Sequence, residues 1–220
     1  MMEKRYVPLR ERKHVKTKVD LTMAFVERLK SARLEDISIK AVCDSIDVSE
    51  GTFYNYFPAK IDLIYYYQQL TLLKIMWETQ RRATDDSPLH RIDVFFDVLA
   101  KEISHPYLLY ELISILVGQK VKPKHKDITS AERLYAFPKS KGIEDVPIMS
   151  LEDFMYKNLE EAAKRGELPR GVDLDDVLIF LMTIIVGVPL AISYENFNTL
   201  GSHFKKQLSF LWKGLGRKER

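Results

Sequence analysis

The chain has 220 residues, enough to bury a full core as one domain or as a small domain beside a larger one. Its 34 basic and 31 acidic residues leave a formal charge of +3, which is too small to identify a binding partner. The single cysteine, Cys43, excludes an internal disulfide and a zinc knuckle. Together with an N-terminus that lacks the apolar stretch of a signal peptide, it favours a cytoplasmic protein.

Basic residues are concentrated at the start of the chain. Seven of them lie between Lys4 and Lys18, with only Glu3 and Glu11 nearby. Alone, such a basic arm is more often a solvated terminus, but beside a DNA-binding unit it is expected to contact phosphate or the minor groove. Apolar residues then recur at helical spacing over residues 13–30 and predict the first helix. No stretch alternates apolar and polar residues as strands do, so the chain is predicted to be all-α.

Two short helices and a long one are predicted next. Ser38 is expected to cap a helix over residues 39–45, and Ser49 a helix over residues 50–57. Pro58 ends the second of these helices. A long helix is then predicted from Lys60 to Arg82.

Further helices are predicted where apolar periodicity is bounded by Pro, Gly or a capping residue: 88–104, 106–118, 150–164, 174–198 and 200–215. The segment 119–149 carries three prolines and Gly142, and is predicted to be a long, partly ordered connection with a short helical stretch over residues 130–135. The apolar run from Val177 to Ile192 falls short of about 20 residues and contains a Gly and a Pro, so a helix buried on both sides is predicted there. Such a helix also suits a dimer interface.

The second short helix has two faces. On a helical wheel Phe53 and Phe57 fall together, where they can close a small core, while Gly51, Tyr54 and Asn55 occupy the opposite arc. Hydroxyls and an amide on that arc have the chemistry to contact phosphates and base edges in a major groove. Two short helices, the second carrying such side chains, predict a helix-turn-helix DNA-binding unit.

The stretch SIKAVCDSIDVSEGTFYNYFPAKIDL, residues 38–63, resembles the DNA-binding signature of TetR-type (tetracycline repressor-like) regulators. The shared features are a Ser or Thr that opens helix two, a Val-Ser turn, a Gly-Thr-aromatic-Tyr recognition helix and a Lys that opens helix four. The match covers roughly residues 13–65. This sequence departs from the family pattern at Cys43, at Asp47 in place of the turn glycine, and at Glu50, where a basic or neutral side chain is common.

The candidate DNA-binding residues all lie in or beside the two short helices: Ser38, Lys40, Ser49, Glu50, Gly51, Thr52, Tyr54, Asn55, Tyr56 and Lys60. We expect residues 1–62 to form the DNA-binding domain and residues 63–220 an effector-binding and dimerisation domain. The resemblance implies a homodimer through the last two helices, and a repressor that an apolar small-molecule effector releases from a pseudo-palindromic operator. Side chains expected to line the effector pocket are Phe95, Phe96, Tyr107, Tyr110, Phe154 and Met155.

Other functions were weighed against this one. An enzyme is not expected, because the five histidines are scattered and no catalytic or nucleotide-binding motif occurs. His90, Asp93 and Asp97 share a helix face, but acidic residues early in a helix are more simply explained by its dipole, so no metal or cofactor is expected. Cys43 is expected to be a small buried side chain. A regulator or activator without an effector, and a sequence-independent DNA binder, stay open as alternatives.

Overall fold

The computed structural model describes residues 8–84, 86–102, 105–118, 127–192 and 197–216. These residues form α-helices and two 3-10 turns, Ile143–Asp145 and Phe197–Thr199, and contain no strand. The helices are α1 (Leu9–Leu29), α2 (Ile39–Asp44), α3 (Glu50–Tyr56), α4 (Lys60–Arg82), α5 (Pro88–Glu102), α6 (Pro106–Gly118), α7 (Ser130–Ala136), α8 (Leu151–Lys164), α9 (Leu174–Ala191) and α10 (Leu200–Gly214). The all-α prediction is confirmed.

The chain divides into two compact units. The first unit comprises Met1–Lys74 and Tyr107–Ile148, and the second comprises Ile75–Pro106 and Met149–Arg220. Helix α4 therefore passes from one unit into the other. The functional boundary predicted between residues 62 and 63 stays a prediction, since the compact units group the chain by packing and not by function.

The core of the first unit holds α1, α2 and α3 together. Phe25, Val42, Phe53 and Phe57 are buried in one apolar cluster, and Ile46 packs against it. This is the small core that the sequence pattern predicts. Because Phe53 and Phe57 lie four residues apart, both point inward, and α3 is held by its apolar side while its polar side is left outside.

Helix α1 starts earlier than predicted. It begins at Leu9, after Pro8, whose carbonyl accepts a hydrogen bond of 3.0 Å from the backbone N–H of Arg12. Most of the basic cluster is therefore helical. The helix predicted over residues 13–30 is confirmed, and the prediction that the basic arm lies outside helix one is wrong for Arg10 and Arg12. Arg and Lys are good helix formers, and nothing in this stretch breaks a helix. Lys4 and Arg5 lie outside the described residues.

The segment before α8 is more regular than predicted. Thr129 and Glu132 form a capping box that starts α7, which confirms the short helix predicted there. The buried guanidinium of Arg133 donates to the backbone carbonyls of Ile128, Glu144 and Val146 at 2.7–3.0 Å. One side chain thus ties residues 127–148 into a folded segment. Residues 119–126 of the predicted connection lie outside the described residues.

The second unit is built from α5, α8, α9, α10 and the end of α4. Its core is aromatic: the rings of Phe95 and Phe154 lie 5.1 Å apart, and those of Phe96 and Phe204 lie 5.2 Å apart. The indole N–H of Trp212 in α10 donates to a carboxylate oxygen of Asp93 in α5 at 2.7 Å. The edge-on contact between Phe96 and Phe204 and this hydrogen bond fix α10 against α5.

Helix α9 is largely uncovered. It packs against α8 and α10, yet only Val177, Leu181 and Pro189 are buried among its 18 residues. The prediction of a helix buried on both sides is wrong for a single chain, because the elements of its own unit cover one side only. By length and composition α9 could cross a membrane: its mean hydropathy is 2.1, and 17% of it is buried.

Candidate nucleic-acid interface

Helices α2 and α3 each begin with a serine cap. The Ser38 hydroxyl accepts from the backbone N–H of Ala41 at 3.2 Å, and the Ser49 hydroxyl accepts from that of Thr52 at 3.1 Å. The Ser49 and Thr52 hydroxyls also share a hydrogen bond of 2.9 Å. Both serine hydroxyls therefore serve to start their helices.

The turn between α2 and α3 requires one residue in the left-handed backbone conformation, and that residue is Asp47. Its φ is 56°, and no other non-glycine residue in the described part of the chain has a positive φ. The backbone N–H of Val48 returns to the carbonyl of Cys43 at 3.1 Å and closes the turn. Aspartate adopts this conformation more readily than most side chains, so the departure from glycine leaves the helix-turn-helix geometry intact.

The outward face of α3, formed by Glu50, Gly51, Tyr54 and Asn55, is exposed and polar. Tyr54 exposes 51% of its surface, whereas the adjacent Phe53 is fully buried and meets the Tyr54 ring edge-on at 5.3 Å. A Cβ on Gly51 would meet only the Ser49 hydroxyl, at an ordinary 3.7 Å. The described part of the protein thus has room for a side chain at position 51, and no contact within it requires glycine there.

Three of the predicted contact residues also have partners within the first unit. Tyr56 is half-buried, packs against the core and stacks on His14 of α1, with the ring centroids 4.6 Å apart. The ammonium of Lys60 donates to the carbonyls of Leu34 and Glu35, each at 3.0 Å. Lys60 thereby holds the loop between α1 and α2, and one of its three N–H groups is left for a phosphate. Thr52 is half-buried beside Ser49.

Exposed cations lie on the helices beside α3. Lys40 in α2 is exposed, as are Arg10, Arg12 and Lys13 in α1, and none of these four side chains makes a hydrogen bond or ion pair with described residues. Lys16 differs because its ammonium pairs with Asp20 one turn later. Free cations on two helices, next to a polar helix face, are the charge arrangement that phosphate contacts need.

A buried ion pair joins α1 to α7 in the same unit. Glu132 is 3% exposed and accepts from the ammonium of Lys18, from the Tyr66 hydroxyl at 3.2 Å and from the backbone N–H of Thr129 at 2.7 Å. Lys18 also lies 4.1 Å above the centre of the Tyr66 ring. This cluster links three helices of the unit and was not predicted, since Lys18 and Glu132 are 114 residues apart in sequence.

The cluster shifts the pKa of two of its members. Burial alone would raise the pKa of the Glu132 carboxyl, but the hydrogen bonds from Lys18 and Thr129 and the Lys18 charge hold that pKa below its ordinary value. Burial, and then the Glu132 charge, raise the pKa of the Tyr66 hydroxyl far above its usual range. At neutral pH Glu132 is therefore a carboxylate, with Tyr66 as a neutral donor.

The residues predicted for an effector pocket do not all fall in one unit. Phe95, Phe96, Phe154 and Met155 are buried in the core of the second unit, whereas the partly exposed Tyr107 and Tyr110 belong to the first. An open groove of about 380 Å³ on the second unit is lined by other residues: Met149, Glu152, Asp153, Tyr156, Lys157, Glu160 and Leu178. That an effector pocket is lined by the six residues named from the sequence, and not by those of the groove, stays a prediction.

The other residues singled out from the sequence have structural partners. The Asp93 carboxylate accepts the indole hydrogen bond described above, and the described residues contain no group of three His, Cys, Asp or Glu side chains placed to hold a metal. Cys43 is 1% exposed, which confirms that it is a small buried side chain. Burial, followed by the charges of Glu50 and Asp44, raises the pKa of its thiol.

The architecture matches solved bacterial regulators over almost the whole chain. Thermus thermophilus FadR, a TetR-family transcriptional repressor solved with lauroyl-CoA, is 20% identical, with a TM-score of 0.59 over 92% of this chain and 97% of that one. The chain has the TetR-family fold. KstR2, a ketosteroid transcriptional regulator of Mycobacterium tuberculosis, matches at 16% identity with a TM-score of 0.53 over 92% and 96% of the two chains.

A third structure with this fold is described as the molecular basis for control of antibiotic production by bacterial hormones. It is 14% identical, with a TM-score of 0.64 over 91% of this chain and 97% of that one. No protein-family model and no curated protein matches the sequence. The TetR-family fold is thus shown by the architecture, at sequence identities of 14–20%.

Proposed function

We propose that the protein is a ligand-responsive transcriptional repressor that binds a pseudo-palindromic operator as a cytoplasmic homodimer. The observation that carries the proposal is the outward face of α3. Its side chains are polar, exposed and held from behind by the buried Phe53, and free cations flank it on α1 and α2. A rigid polar helix with adjacent phosphate-binding charges is what major-groove recognition requires.

The uncovered side of α9 supports the dimer. Ile179 and Phe180 expose 62% and 59% of their surfaces, and Leu190 and Phe210 expose 46% and 57%. Apolar side chains exposed along a helix of this length favour a protein partner, and a second copy of the chain supplies an identical face for a two-fold interface. Two copies would present two α3 helices, which matches the two half-sites of a pseudo-palindrome.

The effector is proposed to be a largely apolar small molecule. Two of the solved proteins with this fold are described with a fatty acyl-CoA and as a ketosteroid regulator, and both names denote ligands with large apolar parts. The core of the second unit of this chain is aromatic, and aromatic side chains suit a ligand of that class. Release would follow if the effector binds better to a conformation that does not fit the operator.

Selection from a library of random duplexes tests the DNA-binding part. We expect the wild-type protein to enrich a sequence with two-fold symmetry, and the affinity for it to fall steeply as salt increases. Lys40→Ala should weaken binding to all duplexes alike and reduce the salt slope by about one, because a phosphate contact carries no sequence information. Glu160→Ala, on the exposed side of α8, serves as the control.

The same protein and the selected duplex test the response to effectors. Acyl-CoAs and steroids added to the complex should include a compound that releases the duplex at a concentration that leaves the fold intact. Enrichment without symmetry, or equal affinity for all duplexes, would instead indicate a sequence-independent binder. Turnover of an added compound would point to an enzyme.

A further inference from the structure

The outward face of α3 carries one charge, and that charge is negative. Glu50 is exposed at the first position of the helix, and Tyr54 lies one turn further along the same side. The other outward residues, Gly51 and Asn55, are uncharged. Phosphates repel a carboxylate, so a helix that only followed the DNA backbone would be weakened by Glu50.

No contact among the described residues gives this side chain a structural role. Glu50 makes no hydrogen bond or ion pair with any residue in the described part of the chain. The cap of α3 is already complete, because Ser49 accepts from the backbone N–H of Thr52 and bonds to its hydroxyl. What is left is the general preference for acidic residues near a helix start, which is weak at an exposed position. The carboxylate is therefore available to a ligand of the α3 face.

The major groove offers a carboxylate few partners. A carboxylate only accepts hydrogen bonds, and the only donors on the base edges there are the N4 amine of cytosine and the N6 amine of adenine. Adenine places its N7 acceptor next to that amine, where it repels the second carboxylate oxygen. Guanine and thymine present acceptors at the corresponding edge and repel the carboxylate outright. Cytosine is the one base that pairs with a carboxylate without an opposing acceptor.

We propose that Glu50 is a specificity-determining residue that selects a cytosine in each half-site by accepting a hydrogen bond from its N4 amine. The assignment rests on the proposed function, since it applies only if α3 enters the major groove. Glu50 then acts in two ways: it attracts one base and rejects sequences that place an acceptor at the same position. Because Gly51 has no side chain, the start of the helix can approach the base edge closely enough for this contact.

The test is selection from duplexes with a random core of about 30 base pairs, three helical turns, with four proteins in parallel. Wild type should enrich a cytosine at one symmetry-related position in each half-site. Glu50→Gln should change the preference at that position from cytosine to adenine, because an amide donates and accepts and so pairs with both N6 and N7. Glu50→Ala should lose the preference there and keep it elsewhere. Glu160→Gln, the same change on the exposed side of α8, should select as wild type does.

A second measurement needs no protein variant. Exchanging the selected cytosine for thymine in the wild-type duplex should lower affinity about 10-fold, within the range for one base-edge contact. Equal affinity for the two duplexes, or the same selected sequence for wild type and both Glu50 variants, overturns the role of Glu50 and leaves the proposed regulator standing. Failure of wild type to enrich any sequence overturns both.

Discussion

The outward faces of α3 and α9 are both left uncovered by the chain, and their chemistry is opposite. The α3 face is made of hydroxyl, amide and carboxylate groups that water solvates at no cost. The α9 face exposes Ile179, Phe180 and Leu190, whose contact with water is unfavourable. A polar face is stable in water without a partner and suits reversible binding through matching hydrogen bonds. An apolar face favours a partner that stays bound. The difference supports the proposal that DNA binds to α3 and a second subunit to α9.

The largest effect is expected for dimerisation when the apolar face of α9 is changed. Replacing both Ile179 and Phe180 by Glu should convert the dimer into a folded monomer. Each lost side chain contributes about 1.5–3 kcal/mol when buried, and a two-fold interface counts each change twice, so dimerisation should weaken by more than about 6 kcal/mol. Sedimentation velocity measures the result. Leu134→Glu, at a 45% exposed position in α7, makes the same kind of change outside this face. A double variant that still dimerises would remove α9 from the interface.

The next effect concerns the buried side of α3. Phe53→Ala should destabilise the protein by about 3–5 kcal/mol, because a fully buried ring is replaced by a cavity in the core that holds the three N-terminal helices. Urea denaturation followed by circular dichroism measures the change. If stability were unaffected, the inward and outward faces of α3 would not be divided as the structure shows.

The next prediction concerns the buried ion pair between Lys18 of α1 and Glu132 of α7, in the unit that also contains α3. Glu132→Gln should cost about 3 kcal/mol of unfolding free energy at neutral pH, because it leaves the Lys18 ammonium, whose side chain is 15% exposed, without its counter-charge. Urea denaturation of both proteins at a series of pH values measures this cost. Lys16→Met, at an exposed pair, is the control and should change little.

The direction of the pH dependence follows from the lowered pKa of Glu132. A carboxyl with a lower pKa in the folded state stabilises the protein fully above its unfolded pKa, about 4.3. The contribution disappears as the pH falls through the folded value. The difference in stability between wild type and Glu132→Gln should thus be constant near neutral pH and shrink in acid. A difference that grew on acidification would contradict the assigned pair.

The smallest effect is expected for Tyr54 on the polar face of α3, where DNA affinity and protein stability should respond differently. Tyr54→Ala should weaken binding to the selected duplex by about 1–3 kcal/mol and change unfolding by less than about 0.5 kcal/mol, since its ring is half exposed. Fluorescence anisotropy and urea denaturation measure the two quantities. Loss of stability without loss of affinity would make Tyr54 a part of the core and not of the interface.

Local signals made the helix-turn-helix predictable. Ser38 and Ser49 cap the helices that the sequence assigns to them, and α3 ends within one residue of the predicted position because Pro58 follows. The inward placement of Phe53 and Phe57 follows from their spacing of four. The start of α1 was missed, since helical propensity continues through the basic residues and no capping side chain marks its beginning.

The short helix over residues 130–135 was predictable from the sequence, but the ordering of the rest of residues 127–148 was not. Thr129 and Glu132 are a recognisable capping box, but the prolines and lysines of the segment suggest a loop. The backbone carbonyls that accept from Arg133 lie up to 13 residues away in the sequence. The pairing of Lys18 with Glu132 depends on how α1 and α7 pack. Propensity carries no information on such distant contacts.

The sequence by itself determined the all-α class, the caps and turn of the DNA-binding helices and the two-sided character of α3, because each depends on interactions within a few residues. Tertiary structure decided what those helices rest on and what they leave uncovered. It buried Glu132 against Lys18, turned Lys60 towards the carbonyls before α2, and covered α9 on one side only. These outcomes depend on which surfaces meet, and packing between distant segments sets them.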